Sequence, residues 1–305
     1  MNKIYAFFFI SLLALSCSKN NRYDEMILSF DISRTNQQIV YSILKEGFFK
    51  LYTSNIKGEN LKPLTLPQGY SYLSPKFSQQ GDKIIYVMKN DNKFEYSIVI
   101  YNIKSQEQKI VMTTSDAFIG EAIISDDLQS VYFTMAKGYQ SNSPLSQSDL
   151  KGFDLYQLSL LNNETRSMTN LEAYGMMGLF DYNEEAVLLN IQGSTGGIYL
   201  CSKEELNKIA KVNLMNEKGQ KPMDLFYTNF YMIAENSFIT ENNFQITKIS
   251  FNDKTVTDIY LSDNQIKCLS YYNNQIYIVT DENALVLKII SMTGKLKKEI
   301  QLKFN

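Results

Sequence analysis

A strand–turn–strand unit recurs along almost the whole chain, and that recurrence limits the available folds more than any other feature. Three stretches set side by side show it: Phe30-Asp31-Ile32-Ser33 leading to Gln38-Ile39-Val40-Tyr41, Lys76-Phe77-Ser78 leading to Lys83-Ile84-Ile85-Tyr86, and Ile123-Ile124-Ser125 leading to Ser130-Val131-Tyr132-Phe133. Each reads as an apolar segment, a Ser, a polar turn, then a β-branched and aromatic run. That is hairpin chemistry. The Ser and its polar followers satisfy turn backbone groups, and Gly81 supplies a positive φ. The run after the turn makes the next strand. A third strand follows each hairpin (Phe49–Thr53, Ser97–Tyr101, Phe153–Leu158), then a fourth ending near Thr (Leu61–Thr65, Gln108–Thr113, Thr165–Thr169).

Three fainter copies open at Gly178–Tyr182, Thr228–Tyr231 and Leu269–Tyr272. With Ser33, Ser78, Ser125, Asp181, Tyr231 and Tyr271 taken as equivalent, the spacings are 45, 47, 56, 50 and 40 residues. Repeats of about 40–50 residues with four strand signals suit propeller blades. Pro75-Lys76-Phe77-Ser78 with Gly81-Asp82-Lys83, and Phe153-Asp154-Leu155-Tyr156 with Arg166-Ser167-Met168-Thr169, resemble the WD40-like repeat of TolB-type propellers. The family's second Pro is replaced by Arg34, Gln79 and Asp126. The resemblance implies an all-β chain, a six-bladed β-propeller of four-stranded antiparallel blades. Expected blades cover 26–66, 70–113, 117–170, 174–215, 222–261 and 264–305. The sixth looks complete on its own, although residues 23–27 could add a closing strand. Ser202–Ala210, with a Ser202/Glu205 capping box, reads as a short helix or equally as a turn.

The segment before the first repeat is a processing signal. Met1-Asn2-Lys3 is a short positive region, and the 12 apolar residues Ile4–Leu15 are too few to span a bilayer as a helix. Leu13-Ala14-Leu15-Ser16-Cys17 resembles a bacterial lipobox, with Ala14 where Leu is usual. That resemblance implies cleavage after Ser16, acylation of Cys17, a tether over 17–25 and a mature chain of 289 residues. The competing reading is an ordinary secretory signal with a chance Cys. Acyl chains would hold the domain on a membrane. The absence of Asp after Cys17 favours, by the same resemblance, the outer membrane facing the periplasm, with surface exposure left open. The other two cysteines, Cys201 and Cys268, fall in non-adjacent repeats and are expected as buried free thiols rather than a disulfide.

Composition narrows function. The chain has no His. That excludes a Ser-His-Asp triad, a Cys-His dyad and imidazole-based metal sites. Formal net charge is −2 in 305 residues, which gives no drive toward nucleic acid. No cofactor motif stands out. Gln192–Gly197 has the glycines of a phosphate loop but lacks the Lys-Ser/Thr pair and a following helix, so it reads as a hairpin loop. The acidic pairs Asp126-Asp127, Glu184-Glu185 near Asp181, and Asp281-Glu282 read as solvated turns, without the spacing of a calcium loop.

Binding is therefore the expected role. Loops leading into the inner strands carry Tyr70, Tyr72, Phe118, Tyr174, Phe226 and Tyr227, rings able to grip a peptide or stack on a sugar. Packing between blades is the weightier reading of the same rings. Lys76, Glu121 and Asp224 are neighbouring charges, with solvated surface as the default. The polar stretch 137–152, with Tyr139, reads as a long loop suited either to partner contact or to flexibility. The expectation is a monomeric, membrane-anchored binding protein of the bacterial envelope that recognises a protein or peptide. The alternative is a glycan-binding or carboxylate-dependent glycan-active accessory, since paired carboxylates can cut glycosidic bonds without His.

Overall fold

A computed structural model describes residues 26–64, 66–141, 148–192, 196–216, 230–234, 237–282 and 284–303. Six sheets form in chain order. Blade one holds β1 (Met26–Ile32), β2 (Gln38–Lys45), β3 (Phe48–Asn55) and β4 (Lys62–Pro63). Blade two holds β5 (Tyr70–Phe77), β6 (Lys83–Asn90), β7 (Glu95–Asn102) and β8 (Gln108–Thr114). Blade three holds β9 (Phe118–Ile124), β10 (Ser130–Ser141), β11 (Ser148–Ser159) and β12 (Thr165–Ser167). Blade four holds β13 (Gly175–Asp181), β14 (Ala186–Gln192), β15 (Gly197–Ser202) and β16 (Ile209–Lys211). Blade five holds β18 (Phe230–Ala234), β19 (Ser237–Asn242), β20 (Gln245–Ser250) and β21 (Thr255–Leu261), with β17 (Met215–Asn216) added in parallel to the outer edge of β21. Blade six holds β22 (Ile266–Tyr272), β23 (Gln275–Asp281), β24 (Leu285–Ser291) and β25 (Leu296–Gln301).

The first strand of each blade touches the first strands of its neighbours, from β1 through β5, β9, β13, β18 and β22 back to β1. This is the expected six-bladed propeller. Inner strands begin on one face, here called the front, and end on the other, the back. Links between blades and turns between second and third strands also lie at the front.

The second strands explain why the sequence shows solid apolar runs instead of simple alternation. Each is buried on both sides, and successive residues enter different cores. Ile84 and Tyr86 pack between blades one and two, while Ile85 and Val87 pack between blades two and three. Val131 and Phe133 share that second core, and Tyr132 turns into the next with Leu155 and Val187. A slip of one residue would exchange every side chain between cores, so register is strongly fixed. The ring closes by the same rule. Ile39, Tyr41 and Ile43 of blade one meet Cys268, Tyr277, Val279 and Leu287 of blade six. Blade six draws all four strands from its own segment, so closure among the described residues rests on side-chain packing.

The turns carry the chemistry that the sequence suggested. Ser125 Oγ accepts from Ser130 N at 2.9 Å, Ser78 Oγ from Lys83 N at 3.1 Å and Ser33 Oγ from Asn36 N at 3.1 Å. Gly81 sits at φ 72°, and a Cβ there would stand 2.1 Å from Thr35 Oγ1 of the adjacent blade. Only Gly allows blades one and two to approach so closely at this turn.

One open alternative is resolved and one local expectation needs correction. Ser202–Ala210 is a turn: Ser202 Oγ accepts from Glu204 N and Glu205 N, but the chain then enters β16 instead of continuing as a helix. The stretch 137–152 is largely strand. β10 and β11 pair continuously from Ser130↔Ser159 to Ser141↔Ser148, because a ladder already started satisfies backbone groups as it lengthens. Its tip, 142–147, lies outside the described residues, as do 193–195 of the Gly-rich hairpin. Cys201 and Cys268 are free and buried, as expected. Burial pushes the Cys201 thiol up to about 12.

Candidate functional site

The central channel is built by an irregularity shared by all six inner strands. Each carries one extra residue against its partner: near Ile27–Ser29, Leu73–Lys76, Ile119–Ala122, Met177–Phe180, Met232–Ala234 and Ile266–Cys268. Such bulges free backbone groups and re-aim side chains. Ser74 and Gly178, within two of them, have φ of 49° and 66°.

Neighbouring blades fill the freed valences. Glu121, from blade three, accepts from Gly178 N at 3.0 Å and Leu179 N at 3.1 Å in the bulge of blade four. Asp31, from blade one, accepts from Phe77 N of blade two at 2.8 Å. Ser74 Oγ of blade two donates to the Gly120 carbonyl of blade three at 3.3 Å. Polar side chains thus tie each early blade to the next through the channel wall.

Lys76 interacts electrostatically with both carboxylates. Its Nζ donates to Tyr231 OH at 3.3 Å and stands 5.2 Å from that ring's centroid. Blades two and five face each other across a six-membered ring, so this contact spans the channel toward the back end of β5. Burial lowers the Lys76 ammonium's affinity for its proton, but Tyr231, Asp31 and Glu121 outweigh this and hold it above the ordinary lysine range. Burial raises Asp31 and Glu121 in spite of Lys76 and the backbone donors.

A carboxylate raised on folding binds its proton more tightly in the folded state. It contributes stability that is complete below the ordinary carboxylate range and fades as pH climbs through the raised value. Glu121→Gln removes one such group. Denaturant midpoints at about pH 5 and about pH 7 are expected to differ less in this variant than in the native chain. An equal or larger difference would contradict the assignment.

Beyond the Lys76–Tyr231 bridge the channel opens at the back as a recess of about 120 Å³. Asp31, Lys76 and Tyr231 form its floor; Arg34, Gln79, Asp126, Asp181, Tyr182 and Tyr271 form its rim. Asp181 is paired with Lys203 at 2.5 Å and accepts from Asp126 N at 3.1 Å. Arg34, Gln79 and Asp126 are exposed. The rim therefore offers a guanidinium, an amide and a carboxylate beside two half-buried tyrosines, Tyr182 and Tyr271.

Of the residues singled out from sequence, Lys76 and Glu121 come together in the channel wall rather than on solvated surface. The front-face aromatics do not converge. Tyr72 is buried, edge-on to Tyr86 at 5.5 Å, with its hydroxyl donating to the Pro67 carbonyl. Phe118 packs between Tyr96 at 5.1 Å and Phe153 at 6.0 Å. Tyr174 is exposed at the front. Tyr139 sits on β10 with its side chain outside the described residues, and Cys17, Asp224 and Tyr227 lie outside them entirely. Asp31, Arg34, Tyr231 and Tyr271 as channel groups escaped the sequence reading. The available signal was a charge two positions before the turn Ser, Asp31 before Ser33 and Lys76 before Ser78, breaking an otherwise apolar strand.

Comparison with solved structures agrees with this architecture. The chain is similar to TolB from Acinetobacter baumannii, with 16% identity over 81% of this chain and 58% of that one and a TM-score of 0.62. It is similar to an oligogalacturonate lyase in complex with manganese at 13% identity, over 87% of this chain and 74% of that one, with a TM-score of 0.58. A prolyl endopeptidase matches at 13% identity over 92% of this chain but only 43% of its own, with a TM-score of 0.53. The chain thus spans less than two thirds of that TolB and less than half of that peptidase. At such identities the likeness fixes the fold, a TolB-like six-bladed propeller. No protein-family model matches the chain, and no curated protein matches it.

Proposed function

We propose that this protein is a non-catalytic binding propeller of the bacterial envelope, held to the outer membrane through acylated Cys17 and recognising a protein or peptide at the back mouth of its channel. On this reading 1–16 are a signal peptide, 17–25 the lipidated Cys and tether, and 26–305 the propeller, acting as a monomer facing the periplasm.

The back recess is the observation that carries the reading. It lies on the ring axis and gathers side chains from all six blades. At about 120 Å³ it is far below the roughly 300–1,000 Å³ of small-molecule pockets. It suits a side chain or chain end of a larger partner, with Arg34, Gln79 and Asp126 meeting the partner's backbone and charges around it. Rim polar groups of this kind set partner choice and association rate.

The test is a pull-down from native membranes with the acylated chain and its Arg34→Glu, Gln79→Glu double variant. Loss of one specific protein from the variant, with circular dichroism unchanged, supports the proposal. Unchanged capture contradicts it, and retention of envelope polysaccharide in place of a protein favours the glycan alternative.

A further inference from the structure

Among the described residues the front of the ring exposes twice as many large apolar side chains as the back. Among the described residues eleven large hydrophobics are exposed, and six stand on front-face loops: Phe48, Phe94, Leu171, Tyr174, Phe244 and Leu261. Leu161, Leu206 and Leu296 stand at back-face turns. The front residues occupy second-to-third-strand turns of blades one, two and five, and the links after blades three and five. They are spread around the face. Beside Phe48 an apolar groove of about 470 Å³ is walled by Leu64, Leu66 and Tyr70.

Charges at the front of blades two and six pair with one another. Lys89 pairs with Asp91 at 3.4 Å, Lys93 with Glu95 at 2.8 Å and Lys267 with Asp281 at 3.6 Å. Among the described residues the front thus combines apolar tips with paired charges. Single exposed apolar residues are ordinary; these carry weight because they stand at the end of the ring where β1 begins.

The chain's course names the occupant. β1 begins at Met26 on the front face, and only eight residues separate it from Cys17. Fully extended, at about 3.3–3.6 Å per residue, that connection reaches roughly 30 Å. An acylated Cys17 therefore keeps the start of β1, at the front face, within roughly 30 Å of the bilayer. We propose that the front face rests on the membrane surface with Phe48, Phe94 and Phe244 in the interfacial layer, which turns the back mouth outward to its partner. This rests on the anchored reading above. Contact through apolar tips with paired charges is insensitive to salt and does not require anionic lipid, unlike a polybasic patch.

The chain has no Trp, so one introduced Trp is a unique depth reporter. Four single variants of the full acylated protein serve: Phe94→Trp and Phe244→Trp at the front, Leu161→Trp and Leu206→Trp at the back. Each is reconstituted in phosphatidylethanolamine–phosphatidylglycerol vesicles carrying brominated acyl chains. The front variants are expected to be quenched about twofold or more, as befits rings buried some 5–10 Å into the interface, and the back variants to be unquenched. Equal quenching at both faces, or none at the front while mass spectrometry shows acylated Cys17, overturns the docking and leaves the anchor standing. Membrane-borne protein of unacylated mass overturns the anchor and this orientation with it.

Discussion

Replacing Asp154 by Ala is expected to lower folding stability by about 3 kcal/mol, since a buried charge-assisted hydrogen bond carries roughly 1.5–3 kcal/mol and this carboxylate makes two. Asp154 is 4% exposed. Its Oδ1 accepts from Thr169 Oγ1 at 2.8 Å and from Leu171 N at 2.6 Å, while Thr169 Oγ1 accepts from Leu155 N at 2.9 Å. These are the Asp and the closing Thr of the repeat motif, and the contact shows why they occur together: it fastens the end of the fourth strand to the third. Blade two makes the same closure with neutral groups, Ser97 Oγ and Thr113 Oγ1 at 2.9 Å. Asp154→Ser is therefore expected to be milder than Asp154→Ala. Denaturant midpoints decide the matter. A loss within about 0.5 kcal/mol for Asp154→Ala, as for an ordinary surface site, would contradict the closure role.

Lys76→Ala is the second large effect, at about 2–4 kcal/mol, because removing one member of a buried ionic cluster strands its partners. The figure sits toward the lower part of what buried pairs lose, since Lys76 and Glu121 are only partly shielded from solvent. Asp31 and Glu121, on the blades either side of blade two, would be left without their common cation, and Tyr231 would lose its bridge. Adding Asp31→Asn and Glu121→Gln removes the stranded charges and is expected to restore part of the loss. The coupling is read from midpoints of the single and triple variants. Additive losses without recovery would show that the three groups do not act as a cluster.

Much of the ring was legible in the sequence because the same physics repeats six times. The turn Ser and the Thr-closed fourth strand mark the first three blades, while the doubly buried second strand marks all six. The segments misjudged were those where a neighbour decides. Ser202 caps a turn as readily as a helix, and nothing local says that β16 begins at Ile209. Lys137–Gly152 is polar enough for a loop, yet pairing begun at Ser130↔Ser159 carries it outward as a ladder. The channel groups were harder still. Asp31 and Lys76 belong to different blades, and their meeting depends on bulges and ring closure that no single repeat encodes. Aromatic loop residues drew attention at the front, while Tyr72 and Phe118 are absorbed between blades.

Recognition at the back mouth is tested most directly by site-specific photocrosslinking in native membranes. A photoreactive residue in place of Gln79 on the back rim is compared with one in place of Lys109 on outer strand β8. The account predicts one discrete crosslinked protein from the Gln79 position and none of that mass from Lys109. The same product from Lys109 with nothing at Gln79 would contradict it.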